Sequence, residues 1–412
     1  MGTGIAGNVA AYLLAGEHEL TVFEENDYVG GHTNTVRVDT EDGTLAVDTG
    51  FITYNEERYP SFVRLLGRLG VPSQPTAMSF SVRAEEGGLE YSSRALFARR
   101  RNALSPDFYR MVTDIVRFNG ASRRLLLEAD DRVLLGPFLE EHGYSRAFIH
   151  GFLYPMGAAI WSSDPRQMRD FPARFFAQFF TNHRFLDVFG QPQWRVVRGG
   201  SHRYVEKLTA GFRDRIRLAS PVTAIERKGD HVLVRARGGE PERFDHVIVA
   251  AHADQALAML SDATPQEREI LGSFAFQENV AALHTDVRVM PRRRRAWACW
   301  NSYVPMGEPS GVAVTYDMNL LQGFRARKEY LVTLNRTAEI DPRTILGTYR
   351  YHHPVYSRAA VLAQKRHGEI SGVRGAAGGG RTHFCGAYWG FGFHEDGVAS
   401  ALAVTRHFGK DL

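Results

Sequence analysis

The chain has 412 residues, 44% of them hydrophobic and 23% charged, which is enough for two domains with substantial cores and excludes wholesale disorder. Its formal net charge of +4 comes from 50 basic and 46 acidic side chains, a surplus too thin for a nucleic-acid footprint, and no zinc-finger or RNA-binding pattern accompanies it. Cys299 and Cys385 form neither a C-x-x-C pair nor a disulfide framework, which points to a cytoplasmic setting, and no apolar run approaches the roughly 18 residues of a membrane span.

The first residues read MGTGIAG, with Gly2, Gly4 and Gly7 in G-x-G-x-x-G spacing. Val9, Ala10, Leu13 and Leu14 then recur at helical spacing, and TVF reads as a short buried strand ending at Glu24. Turn, helix, strand and acid in that order suit a dinucleotide: glycines let the backbone approach a diphosphate, the helix start offers N–H groups, and the acid accepts hydrogen bonds from a ribose. The glycines alone also suit a plain tight turn. Such a turn ordinarily follows a buried strand, so the expectation is that about five to eight apolar residues, a usual strand length, are encoded upstream of Gly2.

A Gly30-Gly31 pair follows, then the alternating runs TNTVRVD and TLAVD around Glu41, Asp42 and Gly43, a hairpin pattern. In PDFYRMVTDIVRF, Phe108, Met111, Val112, Ile115 and Val116 share one helical side. Phe175, Phe176, Phe179 and Phe180 form an i, i+1, i+4, i+5 stripe that serves either a core or the lining of a tunnel for an apolar substrate. WRVV reads as a strand before the Gly199-Gly200 turn and a helix carrying Tyr204, Val205, Leu208 and Phe212; VIVAA reads as a strand buried on both faces. The run Arg292 to Arg295 beside Trp297 and Trp300 is either a solvated hairpin tip or a peripheral membrane-surface contact. YRYHHPVY contributes His352 and His353, but no H-E-x-x-H or cysteine–histidine spacing marks a metal site. RTHFCGAYWGFGFHEDGVASALAV reads as a strand through Phe384 and Cys385, a glycine-rich loop, and a helix from Gly397.

The glycine turn, the acid ending the next strand and the Gly30-Gly31 pair together resemble the FAD-binding signature of the flavin amine oxidase and phytoene desaturase superfamily. VDTGFITYNEERYP, PMGAAIWSSDP and GFGFHEDGVASAL further resemble a bacterial subgroup of NAD/FAD-binding, amine oxidase-like proteins. The resemblance implies an α/β fold with α+β insertions. A Rossmann-like FAD-binding domain would be assembled from 1–75, 195–265 and 375–412, and a mixed substrate domain from 76–194 and 266–374. It implies cofactor contacts at Gly2, Gly4, Gly7, Glu24, Gly30, Gly31, His32, Gly50, Phe51, Val222, Gly386, Asp396, Gly397 and Val398. His32 stands where the superfamily commonly has an arginine; it can hydrogen-bond a phosphate, cap the loop or attach a flavin covalently. Val222 either meets adenine or is a core valine. Gly386 is followed by Ala387 where many members have an acid, so Asp396 either supplies the ribityl contact or caps the last helix.

By the same resemblance Phe51, Tyr54, Tyr388, Trp389, Phe391 and His394 lie near the flavin ring, and the titratable His394 and Glu395 are candidates for proton transfer. The implied function is an FAD-dependent oxidoreductase that dehydrogenates or isomerises an apolar substrate, such as a fatty acyl chain, by hydride transfer to flavin. The alternatives are a flavin amine oxidase acting on a small amine, and a flavin-binding partner or sensor protein without turnover.

Overall fold

A computed structural model describes every residue except 42, 129, 186–189, 308–312 and 373–379. Asp42 of the expected hairpin turn therefore lies outside the described residues. The fold is α/β, and its nucleotide-side sheet is drawn from both ends and the middle of the chain. Val22–Phe23 pairs in parallel with Ile216–Arg217, and Val247–Val249 pairs in parallel with Thr382–Phe384. Met1 and Gly2 bridge these two pairs: Gly2 N donates to Phe23 O at 2.8 Å, Ala250 N to Met1 O at 2.9 Å, and the terminal ammonium to Ile248 O at 2.8 Å. Burial pushes that ammonium below its ordinary pKa. Beside Met1 a cavity of about 110 Å³, lined by Ala10, Leu14, Val22, Phe23, Val247 and Ile248, separates the facing strand edges.

Ile5–Leu14 is the expected first helix, with Val9, Ala10 and Leu14 buried. It packs against the last helix, His394–Thr405, because Gly397 has no side chain: a Cβ there would lie 2.5 Å from Ile5 Cγ2. The hairpin forms as expected, Thr35–Thr40 antiparallel to Gly43–Asp48. Val222–Arg227, Val232–Ala236 and Glu242–Phe244 make an antiparallel sheet beside it in sequence order.

The rest of the molecule is built on a seven-stranded sheet. Its order is Ile345–Val355, Ala275–His284, Leu331–Leu334, Val314–Asp317, Trp300–Val304, Phe80–Ala84 and Glu90–Ser92. Pairing is antiparallel except between Trp300–Val304 and Phe80–Ala84. Helices Pro106–Glu128, Leu135–Glu141, Tyr154–Trp161 and Ala173–Asn182 share one hydrophobic core with it. Phe176 and Phe180 of the stripe are fully buried there, 4.1 Å apart between ring centroids.

Two expectations are corrected. The last helix starts at His394 rather than Gly397, so His394, Glu395 and Asp396 occupy its first turn. The arginine run is not a hairpin tip: Arg294–Ala296 is a short helical turn, and Arg292, Arg293 and Arg294 pair with Glu85, Glu90 and Glu329 from other segments. Arg295 Nε donates to Ala98 O, and Arg294 also lies over Trp297. Three of the four charges are thus met by acids, which removes the concentrated basic patch that attraction to an anionic surface requires. Among the described residues no helix is long and apolar enough to cross a membrane.

Candidate cofactor and active site

The site begins at the glycine turn, where the side chain of Thr3 is the tie point. Glu24 is 4% exposed, and its Oε2 accepts from Thr3 N at 2.8 Å and Thr3 Oγ1 at 2.6 Å. Its Oε1 accepts from Asn26 N at 2.9 Å and Asn26 Nδ2 at 2.8 Å. Gly30 N in turn donates to Thr3 Oγ1, so turn, acid and Gly30-Gly31 loop are one hydrogen-bonded unit. Thr3 and Asn26 were not singled out by sequence reasoning; short polar residues beside the glycines and two positions past the acid were the available signal.

Four glycines are required by close approach. Gly2 has φ +89°, and a Cβ there would lie 2.6 Å from Ala250 O; Gly31 has φ +59°, and a Cβ there would lie 3.1 Å from Gly4 Cα. Gly7 abuts Gly2 O and Gly50 abuts His32 O in the same way. Gly4 differs, because a Cβ on it would meet nothing within 4 Å. It opens the first helix, which has no side-chain cap and no acid in its first turn. Bare N–H groups, an uncompensated positive dipole end and open space above Gly4 suit a diphosphate, and the buried carboxylate of Glu24 stands at the end of the following strand where a ribose would lie. The residues present fit a dinucleotide.

The remaining candidates divide by what they touch. Val222 begins its strand, half-buried against the cluster that holds Phe23, Ile225 and Val249. Gly386 N donates to Ser400 Oγ at 2.9 Å, which pins the start of the C-terminal loop to the last helix. Val398 is fully buried in the core with Ile5 and Val9, so its side chain packs the helices together. Tyr54 is core as well, between Tyr59 and Phe62. Tyr388 packs on Phe274, and Trp389 on Phe274 and His367.

The three polar residues opening the last helix have settled partners. Asp396 Oδ2 accepts from Phe393 N at 2.9 Å, which makes it the acidic half of a capping box, and burial pushes its carboxyl up to about 7. Of the two roles weighed for it, capping is the one this geometry supports. Glu395 accepts from Ser61 N at 3.0 Å and Phe62 N at 2.9 Å, which caps the helix Pro60–Leu69. His394 stacks on Phe51 with ring centroids 3.4 Å apart, and its Nε2 lies 3.0 Å from Thr33 Oγ1 and 2.9 Å from Tyr204 OH. Thr33 and Tyr204 are themselves 2.5 Å apart. Burial pushes His394 down to about 3, so it is neutral at physiological pH. Of the two candidates for proton transfer, Glu395 is bound to backbone N–H groups and His394 is a neutral member of a buried triad.

The phenylalanine stripe has two sides. Phe176 and Phe180 face the helical core, whereas Phe175 lies 4.6 Å from Phe391 and Phe179 lies 5.0 Å from Phe393, both on the C-terminal loop. Trp161 joins them, 4.8 Å from Phe179, with its Nε1 donating to Phe391 O at 3.2 Å; Tyr356 stacks on Phe175 at 4.8 Å. An aromatic wall thus runs from the helical layer to the loop that follows the Thr382–Phe384 strand. Among the described residues no group of three or more histidines, cysteines or acids could hold a metal.

A glycine turn fit for a dinucleotide, set on short parallel strand pairs in a chain that also carries a seven-stranded mixed sheet, is the arrangement of a flavoprotein oxidoreductase. Residues 5–328 match the family model described as flavin containing amine oxidoreductase. The chain belongs to that family, and its cofactor is FAD. It is 26% identical over 284 residues to the flavin-dependent L-tryptophan oxidase of Lentzea aerocolonigenes, a match that covers 60% of this chain and only 56% of that relative. Among solved structures it is similar to cyclohexylamine oxidase from Brevibacterium oxydans IH-35A, with TM-score 0.70, 16% identity, and 99% and 98% of the two chains covered. It is also similar to a CLA-producing fatty acid isomerase from P. acnes, with TM-score 0.68, 18% identity, and 99% and 97% covered. At such identities these two structures share its fold.

Proposed function

We propose that the protein oxidises or isomerises an apolar organic substrate, with a fatty acyl chain as the leading class, and that the substrate lies against the aromatic wall of Trp161, Phe175, Phe179, Phe391 and Phe393. Bound FAD supplies the hydride acceptor. The chain supplies the rest. The turn from Gly2 to Gly7 and the Gly30-Gly31 loop hold the diphosphate, Glu24 holds the adenosine ribose, and Val222 lies against the adenine. The C-terminal loop and the aromatic wall exclude water from the reacting carbon. The observation that carries the substrate class is the make-up of that wall. Its rings pack face to face or tilted against one another, and the nearby acid Asp396, in the first turn of the last helix, is bound to Phe393 N.

The test is anaerobic bleaching of flavin absorbance by acyl substrates of increasing length and by a panel of primary amines and polyamines. Each buried methylene contributes about 0.8 kcal/mol, so affinity should rise about fourfold per carbon until the site is full. Bleaching by amines with acyl chains inert would overturn the substrate class and leave the flavin chemistry standing. That second reading, a flavin amine oxidase, is favoured by the family itself and by relatives named for oxidation of L-tryptophan and cyclohexylamine. If nothing bleaches the flavin, the sensor reading gains.

A further inference from the structure

His32 follows the Gly30-Gly31 pair that overlies the start of the first helix, and three more histidines converge on it from elements far apart in sequence. Ring centroids of His32 and His353 are 5.1 Å apart, those of His32 and His252 6.2 Å, and those of His252 and His352 6.0 Å. His352 and His353 come from the strand Ile345–Val355 at the edge of the seven-stranded sheet, and His252 from the residue opening the helix Ala253–Met259. All four are half-buried, so they border accessible space rather than a sealed core. Neither ring nitrogen of His32 has a hydrogen-bond partner among the described residues, whereas His353 Nδ1 lies 3.0 Å from Asn279 Nδ2 and His252 stacks on Phe276.

The charges around this cluster are unevenly placed: His32 faces only other histidines, whereas His252 and His352 face acids. The groups acting electrostatically on His32 are His353, His252, His394 and His352, with no lysine or arginine among them. Glu278 faces His352 at 3.6 Å, Asp254 faces His252, and the hydroxyls of Tyr28 and Tyr351 border the loop through Gly31 O and Thr49. Desolvation first, and then repulsion from neighbouring histidines, pushes His32 well below its usual value and His353 down to about 4; desolvation lowers His252 to about 4 against the raising effect of Asp254. At neutral pH, then, His32, His252 and His353 are uncharged, and the open ring nitrogens of His32 wait for an acceptor.

We propose that His32, His252 and His353 form a proton-accepting cradle for the diphosphate of FAD, so that the protein takes up protons from solvent as it binds its cofactor. The proposal rests on the flavin reading above. A diphosphate placed against these rings replaces their missing hydration and supplies a counter-charge that His32 and His353 lack, which favours their protonated forms and draws protons in. An arginine at the same place would need no proton; the histidines make affinity depend on pH.

The experiment is calorimetric titration of the flavin-free protein with FAD between pH 5.5 and 8, in sulfonate and amine buffers of different ionisation enthalpy. Net proton uptake near pH 6.5 is expected, with affinity rising about tenfold for each unit by which pH falls, per proton taken up. His32→Arg should flatten the pH dependence by supplying a permanent charge, and His353→Gln should reduce the uptake. Asp396→Asn should leave it intact, which separates the cradle from the carboxyl at the start of the last helix that titrates near neutrality. One-to-one FAD binding without proton uptake, or uptake unchanged in both histidine variants, would overturn the cradle while leaving the flavin reading in place. Failure of the wild-type protein to bind FAD would overturn that reading instead. If His32→Arg does not fold, His353→Gln carries the test.

Discussion

We propose that Glu24 carries a measurable share of both folding and cofactor binding, with its hydrogen bonds setting the scale. Each of its two oxygens receives one backbone N–H and one side-chain donor, from Thr3 and from Asn26. In Glu24→Gln one oxygen becomes an NH₂ group, which must face one of these pairs. The side-chain partner can adapt, because the threonine hydroxyl rotates and the asparagine amide turns over, but the backbone N–H cannot reverse. One backbone donor is therefore stranded, at a cost of about 1–3 kcal/mol. Thr3 is fully buried and Asn26 only partly, so the amide will face Asn26 and the cost should lie near the lower figure. Glu24→Ala strands both donors and should cost about 2–4 kcal/mol. Loss of the charge-assisted contact to ribose should weaken FAD binding in the alanine variant by about 1.5–3 kcal/mol, roughly 10- to 150-fold in Kd. Urea unfolding of the flavin-free protein reads the first effect, and calorimetric FAD titration reads the second. Equal losses for glutamine and alanine would show that the carboxylate charge, rather than the number of acceptors retained, sets the cost at this position. No loss of affinity in either variant would remove Glu24 from the site.

The two sides of the phenylalanine stripe should respond differently to enlargement. Phe176→Trp overpacks a closed core and should cost about 1–3 kcal/mol in urea unfolding with the longest accepted acyl chain unchanged, whereas Phe179→Trp, against Phe393, should shorten that chain; the reverse pattern would place the substrate on the other side of the helix. Asp396 holds its proton up to about pH 7 in the folded state against an ordinary carboxyl value of 3.8. Its contribution to stability is therefore fully present below pH 3.8 and lost as pH rises through 7, so Asp396→Asn should gain on the wild type from pH 4 to 7 and run parallel above; unfolding midpoints that track each other throughout would contradict the burial argument.

How much of this was legible in the sequence follows from what each feature depends on. The glycine turn, the first helix and the Thr35–Asp48 hairpin were legible because short-range sterics and alternation specify them locally. The start of the last helix was misread because Asp396 was taken as a residue before the helix. It sits in the first turn and reaches back to Phe393 N, a capping arrangement that the spacing in Phe-His-Glu-Asp could have revealed. The partners of the arginine run come from Glu85, Glu90 and Glu329, and no local pattern announces them. The Thr33–Tyr204–His394 triad joins residues 171 and 361 positions apart, and the convergence of His32, His252 and His353 is of the same kind. Such contacts are set by how the two sheets are brought together, which residue periodicity does not encode.

The account turns on the cofactor, so the most direct measurement is titration of the flavin-free protein with FAD, repeated with NAD as competitor, with the bound species identified after denaturation. One FAD per chain, undisturbed by excess NAD, is the predicted result. Binding of NAD in preference to FAD, or no flavin retained at any concentration tested, would contradict it.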